Sequence, residues 1–482
     1  MKLKKLLFFS LFTSSVFLSS CEEEVIIYAE TTVSPASASG NVDFGAKAQS
    51  VTFNVSVDPA LTATYSATGT NVTISNPSGT VSGSSVVINF NAGSAAGAGS
   101  IVLTVTDSEG RKSSATYVVT VAGQIKEVVL TSNITASTTW TADKTWILGG
   151  RIVVTSGATL TIEPGTVIKG QAGTGANATA LIIARGAKIN AAGTAAKPII
   201  FTTVADEISP ELVAQGKFNS PNLEPTINGL WGGVIVLGKA RISASSGTAD
   251  RSEVQIEGIP TSDPNGLYGG TDDADNSGVI KYISIRHGGT NIGSGNEING
   301  LTLGGVGTGT VIDHVEVVAN QDDGIEWFGG SVNVSNAVVW NCGDDGMDTD
   351  QSWSGTLDNF AVITVSGHCF ELDGPEGSYQ AGHKIKNGYV IATGSEDLIN
   401  VDANSIVDLT SISFKGIGAT QKINRVTAAG VKFEDIWLDV AEAMLPTHVN
   451  GAVPAGVKAG AQIKADLSKL SWTWAAQSGT LK

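Results

Sequence analysis

The sequence predicts an all-β protein in two parts: an N-terminal Ig-like β-sandwich followed by a right-handed parallel β-helix. Three observations carry this reading. Short alternating runs fill residues 28–123, a unit of 22 to 24 residues recurs beyond them, and 58 glycines accompany only 13 prolines, as many short strands joined by tight turns require. With 41% hydrophobic and 15% charged residues, the chain has the composition of a folded protein of two or three domains.

Residues 1–21 are an address that does not belong to the fold. Lys2, Lys4 and Lys5 precede the apolar run LLFFSLFTSSVFL, and LSSC sets small residues directly before Cys21. This resembles a bacterial lipoprotein signal, which implies that Cys21 is lipidated and becomes the first residue of the mature chain. Residues 22–27 begin with Glu22, Glu23 and Glu24, an acidic tether similar to surface-export tags of some Gram-negative lipoproteins. A charged, solvated linker explains the same residues. No other stretch reaches the roughly 20 apolar residues of a membrane-spanning helix, so the lipid is the expected anchor and the outer membrane, facing outward, the expected location.

In residues 28–123, the runs VTFNVSV, NVTISN, SVVINF, SIVLTVTD and SATYVVTVAG alternate apolar and polar side chains between Gly, Ser and Asn turns. No His, Cys or acidic cluster falls there, and a spacer role follows. The β-helix is assigned to residues 124–420 and a C-terminal cap to 421–482. Within the helix, Asn299-Gly300, Asp323-Gly324, Asp345-Gly346 and His368-Cys369 recur at intervals of 24, 22 and 23 residues. Aligning these turns puts Leu301, Ile325, Met347 and Phe370 in one column and Leu303, Trp327, Thr349 and Leu372 in another, both pointing into the coil. Thr302, Glu326, Asp348 and Glu371 then form an outward ladder. Acids on neighbouring coils lie about 4.8 Å apart, where like charges repel by roughly 3 to 4 kcal/mol at an effective dielectric near 20. A shared cation, raised pKa values or side chains splayed into water must relieve that repulsion.

The stretches GATLTIEPGTVIKG, GTAAKPIIFTT, LWGGVIVLG, ADNSGVIKYISIRHGG and DDGIEWFGGSVNV, with the ending KLSWTWAAQSG, resemble a widespread group of secreted or lipid-anchored bacterial β-helix proteins over residues 130–480. The resemblance implies a pectin-lyase-like solenoid at a cell surface and assigns no reaction. A looser similarity is to polygalacturonase-type glycosidases, through Asn320-Gln321-Asp322, Asp344-Asp345, Gly367-His368-Cys369 and Lys384-Ile385-Lys386 in that order. It implies Asp345 as acid, Asp322 or Asp344 as the group activating water, and His368 and Lys386 as further site residues. Inverting hydrolysis needs its two carboxyls about 6.5 to 9.5 Å apart, which neighbouring coils can supply. Departures from the pattern are Cys369 for a second Gly, Lys384 for Arg, and only 16 residues between His368 and Lys384.

The same acids suit a hard cation. Asp323, Glu326, Asp345, Asp348, Asp350 and Glu371 would offer Ca²⁺ the six to eight oxygens it takes, and no organic cofactor is implied. The loop Asp273-Ala-Asp275-Asn-Ser277-Gly278 starts like a Ca²⁺ loop but carries Ser284 where the closing Glu belongs. Turn chemistry is the third explanation, because Asp and Asn before Gly favour bends. The histidines 287, 314, 368, 383 and 448 lack zinc spacing and are expected at the surface or in turns, with His368 raised by neighbouring carboxylates. Cys342 and Cys369 are expected as buried free thiols, with pairing still open. Trp231, Trp327, Trp340, Trp353, Tyr379 and Phe328 crowd this region; Trp327 points inward, and Trp353 is the candidate for stacking on a sugar.

A net charge of −16 without a basic face excludes a nucleic-acid partner. The expected function is therefore binding of glycan or outer-membrane protein through an acidic, Ca²⁺-loaded face, as an accessory to nutrient uptake. The alternatives are a polysaccharide-cleaving hydrolase or lyase, and a purely structural surface protein.

Overall fold

The computed structural model describes residues 26–123, 126–292 and 298–481. The signal with Cys21, and tether residues 22–25, lie outside the described residues. The chain divides into two compact units, residues 1–125 and 126–482.

In the first unit, alternation generates two sheets over one core. Thr32–Pro35, Gln49–Ser56, Ser85–Ala92 and Val72–Ile74 form a four-stranded sheet; Ser39–Val42, Lys112–Val121, Gly97–Asp107, Ala63–Thr70 and Ser78–Thr80 form a five-stranded one. Phe53, Ile88 and Phe90 from the first meet Ile101, Leu103 and Val119 from the second, all essentially without exposure. Pairing is antiparallel except where Ser39–Val42 runs parallel to Lys112–Val121.

The second unit is a parallel β-helix. Its coils contribute to a fifteen-stranded sheet and an eight-stranded sheet in which successive coils pair in parallel register. The expected columns are present: Leu301 pairs with Ile325, Met347 and Phe370 in turn, and Leu303 with Trp327, Thr349 and Leu372. These residues and their counterparts on the fifteen-stranded sheet fill one continuous core. The recurring glycine answers to space. A Cβ on Gly324 would stand 2.4 Å from Val339 Cγ1, and one on Gly346 2.6 Å from Val362 Cγ1, so the turn passes too close to the opposite wall for any side chain.

A second column of turns has no glycine in it. Tyr282, His314, Asn336, Asn359, Asn387, Ser411 and Asp435 occupy matching positions within successive long strands, all with φ between 49° and 60°. This left-handed residue bends each of these long strands, folding that part of the fifteen-stranded sheet into two walls. Asn and Asp accept that conformation best, and Asn359 donates to Asn336 Oδ1 at 2.7 Å, tying coil to coil.

The C-terminal assignment requires correction. Residues 421–482 do not begin as a cap, because the coils continue: Val407–Lys415 pairs with Val431–Leu438, which pairs with Val457–Ala459. The last stretch then runs back along the outside of the fifteen-stranded sheet. The Lys464 amide donates to Ser413 Oγ, Asp466 exchanges hydrogen bonds with Asn359, and the Ala475 amide donates at 3.0 Å to Glu316, 159 residues earlier. Leu470, Trp474 and Ala475 are buried there against Val318, Val338, Trp340 and Ala361. The segment is a lateral strap across several coils.

Candidate functional site: an acidic ladder emerging from an apolar cover

The outward column of the eight-stranded sheet changes chemistry along the helix. In register it reads Val153, Ile182, Ile235, Thr302, Glu326, Asp348, Glu371 and Asn400. Its apolar start is covered by the long connection after Val234–Leu237, whose Ile242, Ile256, Ile259 and Tyr268 pack on Val153, Ile182 and Ile235. The acids follow where this cover ends. Glu326 is at its edge, only 7% exposed, and Asp348 and Glu371 are half-buried.

Three groups of potential ligand atoms, each within 4.8 Å, gather here: Asp323 with Glu326 and Asp348; Asp322 with Asp323 and Asp344; and Asp345 with His368 and Glu371. Burial, then repulsion from neighbouring acids, drives the carboxyls of Asp323, Glu326 and Asp348 well above their usual range. Burial likewise pushes Glu371 to about 8, helped by its hydrogen bond to Asp345, and Asp373 to about 6. Among the described residues three buried acceptor oxygens have no hydrogen-bond partner: Asp348 Oδ1, Asn320 Oδ1, and the Oδ1 of Asn299, whose amide nitrogen bonds Glu326. Acceptors converging without donors suit a hard cation, and Asp323, Glu326 and Asp348 with the Asn299 amide are the residues that fit one.

Asp323 and Asp345 also do structural work. Asp323 Oδ1 accepts the Asp345 amide at 2.9 Å, and Asp345 Oδ1 accepts the amide of His368 and its Nδ1, the latter at 3.1 Å. Each carboxylate thus ties its coil to the next. Burial alone would raise Asp345, but the hydrogen bonds from His368 and Glu371 outweigh it and lower its pKa; His368 is raised in return to about 9. Asp345 thus has a lowered pKa and an oxygen engaged by His368. Glu371 is the neighbour that keeps a proton near neutral pH.

Several expected site residues lie elsewhere. Lys386 is on the fifteen-stranded sheet, one residue before its left-handed corner, paired with Asp358 at 3.0 Å. Asp350 joins no ligand group among the described residues; burial and Glu376 push it to about 8. Trp353 is not a sugar platform. It is 1% exposed, stacks on Trp327 with ring centroids 4.6 Å apart, and donates to Val332 O. Trp231, Trp340 and Phe328 are buried as well, leaving Tyr379 half-exposed. His287, His314, His383 and His448 are buried although expected at the surface; His287 and His314 do hold left-handed turns, and burial takes His383 down to about 3. Cys342 and Cys369 are free and buried. In the Asp273 loop, Asp273 is paired with Arg241, and Ser284, where the closing Glu would stand, bonds Glu316.

A family profile described as a pectate-lyase-like beta helix domain matches residues 132–443. This chain belongs to that family. Three solved structures are similar to this pectate-lyase-like protein along most of its length. A family 28 exopolygalacturonase of Yersinia enterocolitica is 9% identical, covering 86% of this chain and 89% of its own, with a TM-score of 0.21. A pectate lyase of Erwinia chrysanthemi, in complex with tetragalacturonic acid, is 8% identical over 89% of this chain and 100% of its own, with a TM-score of 0.19. A pectate lyase of Pectobacterium carotovorum is 8% identical over the same shares, with a TM-score of 0.18. At such scores these add nothing to the family match, and no curated protein matches the sequence.

Proposed function

We propose that this protein is an outer-membrane lipoprotein, anchored through Cys21, whose β-helix binds glycan or a protein partner through a Ca²⁺-loaded acidic face. The observation that carries the reading is the group Asp323, Glu326 and Asp348, held together at high pKa beside the unpartnered Oδ1 atoms of Asn299 and Asp348. A divalent cation would offset two of the three carboxylate charges and occupy both acceptors. Ca²⁺ takes six to eight oxygens, so these residues would leave coordination positions for water or for saccharide oxygens. A glycan held in this way needs no catalytic residue. Calorimetric titration of Ca²⁺ into chelator-treated protein lacking residues 1–21 tests it: binding by the wild type, lost in Asp348→Asn, is the expected result. A wild type that takes up no Ca²⁺ would overturn the metal-dependent reading.

A polysaccharide-cleaving enzyme is the second reading, favoured by two groups on successive coils, Asp322 with Asp344 and Asp345 with His368. In that case Glu371, protonated near neutral pH, is the proton donor, and Asp322 or Asp344 the base. Release of new reducing ends or unsaturated products from acidic polysaccharides, abolished by Glu371→Gln, would establish it. Protein that binds neither ions nor glycans would leave a purely structural surface role.

A further inference from the structure

A cavity of about 210 Å³ lies between the hairpin Ala244–Ser246/Ala249–Arg251 and the loop of residues 374–379. Its walls are built rather than incidental. The Ser378 amide donates to Asp250 Oδ1 at 2.8 Å, and the Gly377 amide to Ser243 Oγ at 3.1 Å. Arg241, held by Asp273 through Nε at 2.8 Å, lies 5.0 Å from the centroid of the Tyr379 ring and fixes that ring in place. Asp250 and Arg241 are thereby spoken for. Arg251, which also lines the cavity, is exposed and has no ion-pair partner among the described residues.

That is unusual in this chain. Of its seven arginines, Arg111, Arg185, Arg241, Arg286 and Arg425 are paired with acids, as a net charge of −16 favours. An unpaired guanidinium beside an aromatic ring, with the hydroxyls of Ser252 and Thr271 on the same lining, is a set of groups complementary to a sugar ring that carries an anion. One residue of its loop links it electrostatically to the acidic face. Its loop includes Glu376, whose amide bonds Ser243 O and whose charge acts on Asp350.

We propose that this cavity is a subsite for one anionic saccharide residue, its ring face against Tyr379 and its carboxylate or sulfate on Arg251. The inference rests on the glycan-binding reading above but not on the cation. No metal ligand lines the cavity, so the two sites separate experimentally.

The test is calorimetry or saturation-transfer NMR on protein lacking residues 1–21, in excess chelator, with galacturonate, galactose 6-sulfate and galactose as probes. Galacturonate or the sulfate ester should bind, and the tighter of the two identifies the anion. Arg251→Gln and Tyr379→Leu, both away from the core, should each weaken binding by about tenfold or more. Galactose binding as tightly as the charged sugars, or an unaltered affinity in Arg251→Gln, would overturn the proposal. So would a wild type that binds no probe, an outcome that leaves the Ca²⁺-dependent face to stand or fall by its own titration.

Discussion

Replacing Glu371 by Gln should stabilise the metal-free protein, and only above acidic pH. The carboxyl of Glu371 rises from an ordinary 4.5 to about 8, first through burial and then through its hydrogen bond to Asp345 and that residue's charge. Between those values the folded chain holds a proton that the unfolded chain has released, so stability falls as pH rises through the window and is flat below it. At pH 7 the window has been crossed by 2.5 units, an upper limit of about 3.4 kcal/mol at 1.36 kcal/mol per unit. Partial exposure and the shared proton with Asp345 reduce this to about 1 to 2 kcal/mol. Gln preserves the local bonding: its amide can donate where the carboxyl proton did, and its oxygen can accept Asn400 Nδ2, which lies 3.0 Å from Glu371 Oε1. Urea melts in excess chelator at pH 4, 6 and 8 should show coincident curves at pH 4 and a gain of about 1 to 2 kcal/mol for the variant at pH 8. Added Ca²⁺ should stabilise the wild type more than the variant. An equal gain at pH 4 and pH 8, or a loss at pH 8, would refute the account of the ladder as a store of repulsion.

Truncating Trp353 to Ala should cost about 3 to 5 kcal/mol in a denaturant melt, because the ring is buried on Trp327, and should leave saccharide affinity of the folded fraction unchanged. His368 should titrate near pH 9 by NMR, and Asp345→Asn should bring it back toward 6.5; the pair's contribution to stability is complete below 6.5 and lost as pH rises through 9, and an unshifted midpoint in the variant would refute the pairing. Glu316→Ala leaves the guanidinium of Arg286 buried without its acid and removes the acceptor of the Ala475 amide, so it should cost about 3 to 5 kcal/mol and expose residues 463–481 to proteolysis. Both thiols should resist a thiol-specific reagent in the folded state and react after denaturation, since burial pushes Cys369 up to about 12 and Cys342 higher still.

The coil repeat was legible because a β-helix writes it locally. A side chain's inward or outward direction is set by its position within one strand, and its neighbour above by an offset of one coil, so alignment of Asp323 with Asp345 and His368 was enough to give the register. The same logic gave the acidic ladder. The left-handed column was not read from the sequence: Asn336, Asn359 and Asn387 share it with His314 and Tyr282, and neither of those residue types signals that conformation. Asn299 was aligned with the ladder's turns, yet its role beside Glu326 depends on which way an amide points across two coils.

What the sequence alone determined, then, is the register: which residues share a column and which of those face inward. Only the tertiary structure decided how deeply an outward side chain is covered. The connection carrying Ile242, Ile256, Ile259 and Tyr268 folds over the start of the eight-stranded sheet and leaves Glu326 at its edge, and the terminal strap reaches Glu316 from 159 residues away. Trp353 is sealed by its stack on Trp327, and Lys386 is held on the fifteen-stranded sheet, in register with Asp358. The contacts of the cover and the strap lie outside the repeat. They join segments of unrelated pattern, so periodicity carries no trace of them, and they set the desolvation that raises the ladder's carboxyls.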